Sequence, residues 1–127
     1  MPICAIADSL VDWRGYKFRD IQSISEIPVA IQDQLGATLS GLDGIADKGQ
    51  PFNPTDVVDS SLPKRRFLVA GHDHHTWLIA LEKGGRGYNI QVYLFVRNEQ
   101  LEHWVLLAFP STLQAVLELI PPLETGQ

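Results

Sequence analysis

Four apolar runs between Phe67 and Phe109 constrain the fold of this chain more than any other feature. The runs read FLVAG, TWLIAL, YNIQVYLFV and LEHWVLLAF, and the polar or glycine-rich breaks HDHH, EKGGRG and RNEQ separate them. Apolar runs of strand length that are joined by short breaks predict antiparallel strands connected as hairpins. We therefore expect a four-stranded antiparallel meander over about residues 66–109.

The chain before the meander is predicted to be mainly helix and loop. Apolar spacing favours a helix over residues 3–11, although a short edge strand fits the same residues, and a second helix from about residue 25 to 39. The segment 40–52 is rich in glycine and aspartate without a sustained period, which is typical of a surface loop.

Two further helices are indicated by their end signals. Asn53-Pro54 is a helix-start pattern, and Leu62-Pro63 would end that helix after about two turns. Beyond the meander, Ser111 and Gln114 form a capping-box pattern that predicts a helix over about residues 111–120. The expected fold is α+β, with the meander and the helices in two layers.

The size and composition of the chain indicate one globular domain over residues 1–127. The chain has 45% hydrophobic and 20% charged residues, and its first 65 residues hold the predicted helices and loops. No apolar run approaches the roughly 20 residues that cross a bilayer. Cys4 is the only cysteine and cannot form an internal disulfide, and no signal-peptide pattern is present, so we expect a cytoplasmic protein. A net charge of −5 argues against a nucleic-acid partner.

One face of the predicted meander is more apolar than a solvated sheet face requires. Its aromatic side chains are candidates for binding a protein partner: Trp77, Tyr93, Phe95 and Trp104. Two explanations remain open, since helices can cover this face or another protein can contact it. A large exposed apolar patch would favour the second explanation.

All four histidines are expected at one end of the sheet. Imidazoles with a carboxylate suit a divalent metal ion. The candidate metal ligands are His72, Asp73, His74, His75 and His103. The run GHDHH resembles, over five residues only, the clusters of metallohydrolases such as the metallo-β-lactamase fold, and the further ligands of that family are missing downstream. Adjacent turn residues also point in different directions, so a polar hairpin loop is the competing interpretation.

The opposite end of the sheet gathers half of the ten basic residues. Glycine backbone N–H groups and an arginine there could hold a carboxylate or phosphate. The candidate anion-binding residues are Lys64, Arg65, Arg66, Lys83 and Arg86. Glycines also serve simply to build a hairpin, which is the alternative.

No nucleophile, base and orienting residue can be assembled from the sequence, and no cofactor motif is present. The sequence therefore favours a non-enzymatic interaction module that binds a protein partner or a second copy of itself. A toxin-neutralising inhibitor of the immunity type would suit the size and acidity. A metal-binding protein or metal-assisted hydrolase is the alternative function.

Overall fold

A computed structural model of the chain describes residues 10–37, 44–55, 61–85 and 87–120. The strands are β1 (Leu10–Trp13), β2 (Tyr16–Ile21), β3 (Ile45–Ala46), β4 (Arg65–Asp73), β5 (Thr76–Lys83), β6 (Asn89–Val96) and β7 (Glu99–Leu106). A 3₁₀ turn (Ile24–Glu26) precedes helix α1 (Val29–Leu35), and helix α2 (Leu113–Leu119) follows the last strand. The predicted α+β class with an antiparallel sheet is confirmed.

Over the described residues, the sheet has seven strands rather than the predicted four. Its main path runs β1-β2-β4-β5-β6-β7, in which all neighbours are antiparallel, and the short β3 pairs in parallel with β4. The four predicted runs become β4 to β7, which are consecutive neighbours as expected of a meander. The additional strands lie in the segment for which helices and loops were predicted.

The helices cover opposite faces of the sheet, so the fold has three layers and the predicted two-layer arrangement is wrong. On the α1 face, helix α1 and the residues before it contribute Ile27, Ile31 and Leu35 to a cluster with buried strand side chains. The strand members of that cluster are Ile21, Phe67, Ala70, Trp77, Ile79, Leu81 and Phe95. On the α2 face, helix α2 packs on the other side chains of the same strands, including Phe18, Val69, Leu78, Val92 and Leu94.

Both described helices differ from their predicted bounds. Helix α1 ends at Gly36, whose φ of 83° lies in the left-handed region that glycine adopts without strain, and does not continue to residue 39. Helix α2 is capped by Thr112, whose hydroxyl oxygen accepts from the Ala115 N–H, and the expected capping box between Ser111 and Gln114 is absent. The Gln114 amide points along the helix to Glu118 instead.

The N-terminal helix prediction fails where it can be checked, because residues 10–13 form β1. The rest of that segment, residues 3–9, lies outside the described residues. The helix expected between Asn53 and Leu62 is also largely outside them, since residues 56–60 are not described. The predicted loop over 40–52 contains β3 in its described part.

Glycine at position 71 leaves room on the α2 face for the side chains of Phe18 on β2 and Leu113 on helix α2. A Cβ atom there would lie 2.8 Å from the Phe18 side chain and 3.0 Å from the Leu113 side chain. Both neighbours are fully buried, so neither can move away cheaply. No helix in the described part of the chain is long and apolar enough to cross a membrane.

The sheet curls strongly toward its α2 face. A flat path from β1 to β7 would separate the two edge strands by about 24 Å, at five spacings of about 4.8 Å each. The rings of Trp13 and Trp104 nevertheless lie 6.1 Å apart, and Arg14 forms an ion pair of 2.7 Å with Glu102. The β1–β2 hairpin therefore reaches across the face to β7, and the sheet closes partly around its core.

Candidate functional sites

The four aromatic residues predicted to bind a protein do not form one surface. Trp77 and Phe95 are buried on the α1 face, at 7% and 0% exposure, beneath helix α1. Tyr93 shares that face and is half-buried, and burial raises the pKa of its hydroxyl despite the opposing charge of Arg65. Trp104 pairs with Val92 and lies on the α2 face, beside Trp13. Helix coverage thus accounts for the apolar residues in the middle of the α1 face.

The exposed apolar surface lies instead along and just beyond strand β7. Four large apolar side chains are exposed there within nine residues. This β7 strip consists of Leu101 (59% exposed), Val105 (51%), Leu107 (78%) and Phe109 (73%). The ring of Phe109 stacks at 5.5 Å on Tyr88, which packs against the α2-face cluster, so this end of the strip lies toward the α2 face.

Strand β7 is an edge of the sheet and lies outside the cover of helix α1. Among the described strands it pairs with β6 alone. Val105 is opposite Gln91 and His103 is opposite Tyr93, so these side chains share the α1 face. None of the β7 residues belongs to the buried cluster under α1. The pairing register shifts between Leu94 and Phe95, so Leu101 has no paired residue on β6. This bulge places Leu101 next to the α1 face.

The predicted metal ligands are divided between two places. The imidazole of His103 stacks on Tyr93 at 4.6 Å and hydrogen-bonds Gln91, away from the turn that carries the other three histidines. Within that turn, Asp73 accepts from the Lys17 backbone N–H at 2.9 Å and bonds the His74 ring at 2.5 Å. No three His, Cys, Asp or Glu side chains of the described residues come close enough to hold a metal ion. Metal binding stays a prediction without geometric support.

The Asp73 carboxylate is already engaged by these contacts. The Lys17 N–H is the largest cause of a lowered Asp73 pKa, and the bond to His74 follows it. Because Asp73 pairs with Thr76, its side chain lies on the α2 face. The acidic group of the histidine run therefore lies on the α2 face, where it binds the imidazole of His74.

A cavity of about 450 Å³ opens on the α1 face at the histidine end of the sheet. The two hairpin turns meet there, since the Arg97 N–H donates to the His75 carbonyl at 2.8 Å. The cavity is lined by Pro28, His72, His74, His75, Trp77, Arg97 and Asn98, with no carboxylate among them. The imidazole of His72 stacks on Trp77 at 4.2 Å, which forms an aromatic floor. We call this cavity the histidine pocket.

Three of the predicted anion-binding residues at the other end donate hydrogen bonds to other groups of the fold. Arg65 donates to the Leu35 carbonyl at 2.7 Å, and Lys64 to the Thr55 carbonyl at 2.5 Å. Arg66 donates two hydrogen bonds to Glu82, at 2.7 Å from Nε and 3.1 Å from Nη2. Lys83 is exposed, and Arg86 lies outside the described residues. Three of these cations are thus already engaged by the fold.

Glu82 is buried and joins the basic end to the core. Its carboxylate accepts from Arg66 and from the Tyr88 hydroxyl at 2.6 Å. The hydrogen bonds to Glu82 raise the pKa of Arg66 against the opposing effect of burial. Burial raises the pKa of Tyr88, and the hydrogen bond to Glu82 adds to that increase. The arrangement is a closed structural triad, not an open site for a ligand.

No known protein family, curated protein or solved structure matches this chain. A functional proposal must therefore start from the geometry of the described residues.

The sequence prediction identified the histidines and Trp77 of the histidine pocket, although with other roles, and missed the β7 strip. The exposure of the β7 strip follows from β7 being the last strand of the meander, which makes it an edge. The alternation of Val105, Leu107 and Phe109 was visible in the sequence, but it does not reveal which strands a helix covers. Arg97 and Asn98 were placed at the histidine end as loop residues without a role.

Proposed function

We propose that this chain is a small non-enzymatic interaction module that binds a protein partner along the β7 strip. The observation that carries the proposal is the concentration of exposed apolar surface. The described part of the chain exposes seven large apolar side chains, and four of them lie between residues 101 and 109. Scattered single exposures need no explanation, whereas four exposed apolar side chains along one edge of the sheet support a binding surface.

The edge position of β7 favours a particular mode of binding. An edge strand presents backbone N–H and C=O groups that an added strand can pair with. Side chains on alternate positions then select the partner, and Val105 offers an apolar contact beside the new strand. The occupant that we propose is a segment of another protein in extended conformation, with apolar residues at alternate positions.

The charge of the chain favours a basic partner over a second copy. The net charge is −5, and Glu99 at the start of β7 is exposed. Two copies of an acidic chain repel each other, whereas a basic partner is attracted. A cytoplasmic inhibitor that neutralises a basic protein, as a toxin-immunity protein does, is the form of this function that we propose.

The proposal is tested by capturing partners from the native host and measuring the affinity of purified candidates by calorimetry. Val105→Lys places a charge in the strip and should weaken binding at least about tenfold, because a desolvated ammonium group opposes association. Leu10→Lys is the matched control, since Leu10 is equally exposed at 51% but lies on β1. Equal affinities of the two variants would remove the β7 strip from the interaction.

Amide hydrogen exchange with and without the captured partner checks the binding mode. Strand addition should slow exchange along β7 and leave β1 unchanged. Slowed exchange confined to helix α1 would contradict binding at the edge. Analytical ultracentrifugation of the chain alone completes the test. A dimer that dissociates in the Val105→Lys variant would show that a second copy of the chain occupies the β7 strip. That result would overturn the proposal that the partner is a different protein.

A further inference from the structure

We propose that the histidine pocket binds a small oxyanion, a phosphate or carboxylate group of an organic ligand. The sequence placed anion binding at the arginine-rich end and metal binding at the histidine end. The contacts favour a different assignment, because three cations of the first end are engaged within the fold, whereas the side chains of Arg97 and His75 at the histidine pocket are available.

The histidine pocket contains side-chain donors that are available to a ligand. Within the described residues, the side chains of Arg97 and His75 make no hydrogen bond or ion pair, and both line the histidine pocket. The Asn98 side chain lines the same cavity. A guanidinium, an imidazole and an amide around one cavity are the donors that proteins use to hold oxyanions.

Charged side chains at the histidine end of the sheet are divided between its two faces. Paired residues on neighbouring strands share a face, and the pairs Arg19–His72 and His72–Trp77 form one row on the α1 face. The acids at this end, Asp73 and Glu99, pair with Thr76 and Val96 and therefore lie on the α2 face. The described residues that line the pocket carry basic groups and an aromatic ring and no carboxylate, and the nearest acid in contact with them is Asp73, which binds the ring of the lining residue His74.

The contacts of the His72 imidazole also favour positive charge at the pocket. Its Nε2 lies 2.7 Å from the His74 carbonyl, which can only accept, so the proton is on Nε2. Its Nδ1 then faces the guanidinium of Arg19 at 3.4 Å. This contact places the positive charge of Arg19 beside His72, one of the residues that line the pocket.

The backbone at Arg97 provides a sharp test, because its φ of 52° is unfavourable for arginine and favourable for asparagine. Arg97→Asn should therefore keep or raise the melting temperature while removing the guanidinium. The probes are inorganic phosphate and acetate, added at constant ionic strength and followed by amide chemical shifts. We expect phosphate or acetate to shift the amides of His75, Arg97 and Asn98, and Arg97→Asn to weaken binding about tenfold.

The control variant is Lys83→Gln, which removes an exposed cation from the opposite end of the sheet. Unchanged binding by this variant would show that the effect of Arg97 is local, and the tighter of the two probes would identify the ligand as a phosphate or a carboxylate. If both variants weaken anion binding equally, the effect reflects the overall charge of the chain and not the position of Arg97. That result would overturn the proposal. It is equally overturned if neither probe shifts the pocket amides, or if Arg97→Asn binds as well as the native chain.

Discussion

Glu82 is an acidic residue whose surroundings differ from those of an ordinary surface carboxylate. It is 7% exposed, and it accepts hydrogen bonds from Arg66 and Tyr88. The guanidinium of Arg66 also lies 4.2 Å from the ring of Phe52, which joins the strands to the segment before β4. A carboxylate in such a position is stable only while its partners remain, because burial without them is costly.

Replacing this carboxylate should destabilise the fold. Glu82→Gln removes the charge opposite Arg66 and should lower the free energy of unfolding by about 2 kcal/mol, less than for a fully buried pair because Arg66 is partly solvated. Tyr88→Phe should cost about 1 kcal/mol. Urea denaturation measures both, with exposed Glu118→Gln as the control, expected within about 0.5 kcal/mol of the native chain. A Glu82→Gln variant as stable as the control would contradict the structural role of the triad.

The position of helix α1 depends on one carboxylate in the segment after β3. Asp47 accepts from the Ile24 N–H at 3.0 Å and from the Ser23 hydroxyl at 2.7 Å, at the start of the 3₁₀ turn before α1. Burial raises the pKa of Asp47, but the hydrogen bonds from Ile24, Ser23 and Lys48 outweigh it, and the pKa is lowered. Because α1 covers the apolar α1 face, this contact helps to keep that face closed.

The lowered Asp47 pKa predicts a loss of stability in acid. A group whose folded pKa lies below its unfolded value of about 3.9 stabilises the fold above that value, and the contribution is lost as the pH falls through the folded pKa. Asp47→Asn should be about 1 kcal/mol less stable at neutral pH, and the difference should shrink below about pH 3. Urea midpoints across this range measure it, and exposed Asp20→Asn is the control. A difference that stays constant with pH would contradict the role of the charge.

The sequence predicts the elements that local pattern determines and misses those that tertiary contacts decide. Alternation and short breaks identified β4 to β7 and placed the His75 and Arg97 turns at one end, as the backbone bond between them shows. The β1–β2 hairpin was missed although Tyr16 and Phe18 alternate with charged residues, because the apolar spacing over residues 3–11 also fits a helix. The two residues of β3 carry no pattern, since only their parallel pairing with β4 makes them a strand.

The candidate sites show the same division. The sequence supplies the histidines and the apolar side chains, but their roles depend on which groups the fold already occupies. Arg66 and Arg97 are indistinguishable in a count of basic residues, yet Glu82 engages the first and no described residue pairs with the second. Coverage of Trp77 likewise depends on which face of the sheet helix α1 packs against, which composition cannot decide.

The partial closure of the sheet joins its two edges through a small set of side chains. Arg14 is held between Trp13 and Trp104, with its guanidinium 4.3 Å and 5.6 Å from the two rings, while it pairs with Glu102. The side chain of Arg14 is only 13% exposed, so its ion pair with Glu102 stabilises the fold more than a fully exposed ion pair would. Closure at this point fixes β7 relative to the hairpin, and it therefore supports the edge that we propose as the binding surface.

Comparing two arginines in equivalent turn positions tests the closure. Arg14 and Arg97 both have a left-handed backbone, with φ of 51° and 52°, so asparagine relieves a similar strain of about 1 kcal/mol at each. Arg97→Asn should then be stabilising, whereas Arg14→Asn should destabilise by about 1 kcal/mol, because the lost contacts with Glu102 and the indoles exceed the relief. A double-mutant cycle with Glu102→Gln should give a coupling energy of about 1 kcal/mol in urea denaturation. If Arg14→Asn stabilises the chain as much as Arg97→Asn, and the cycle shows no coupling, the edges of the sheet are not held together by this contact.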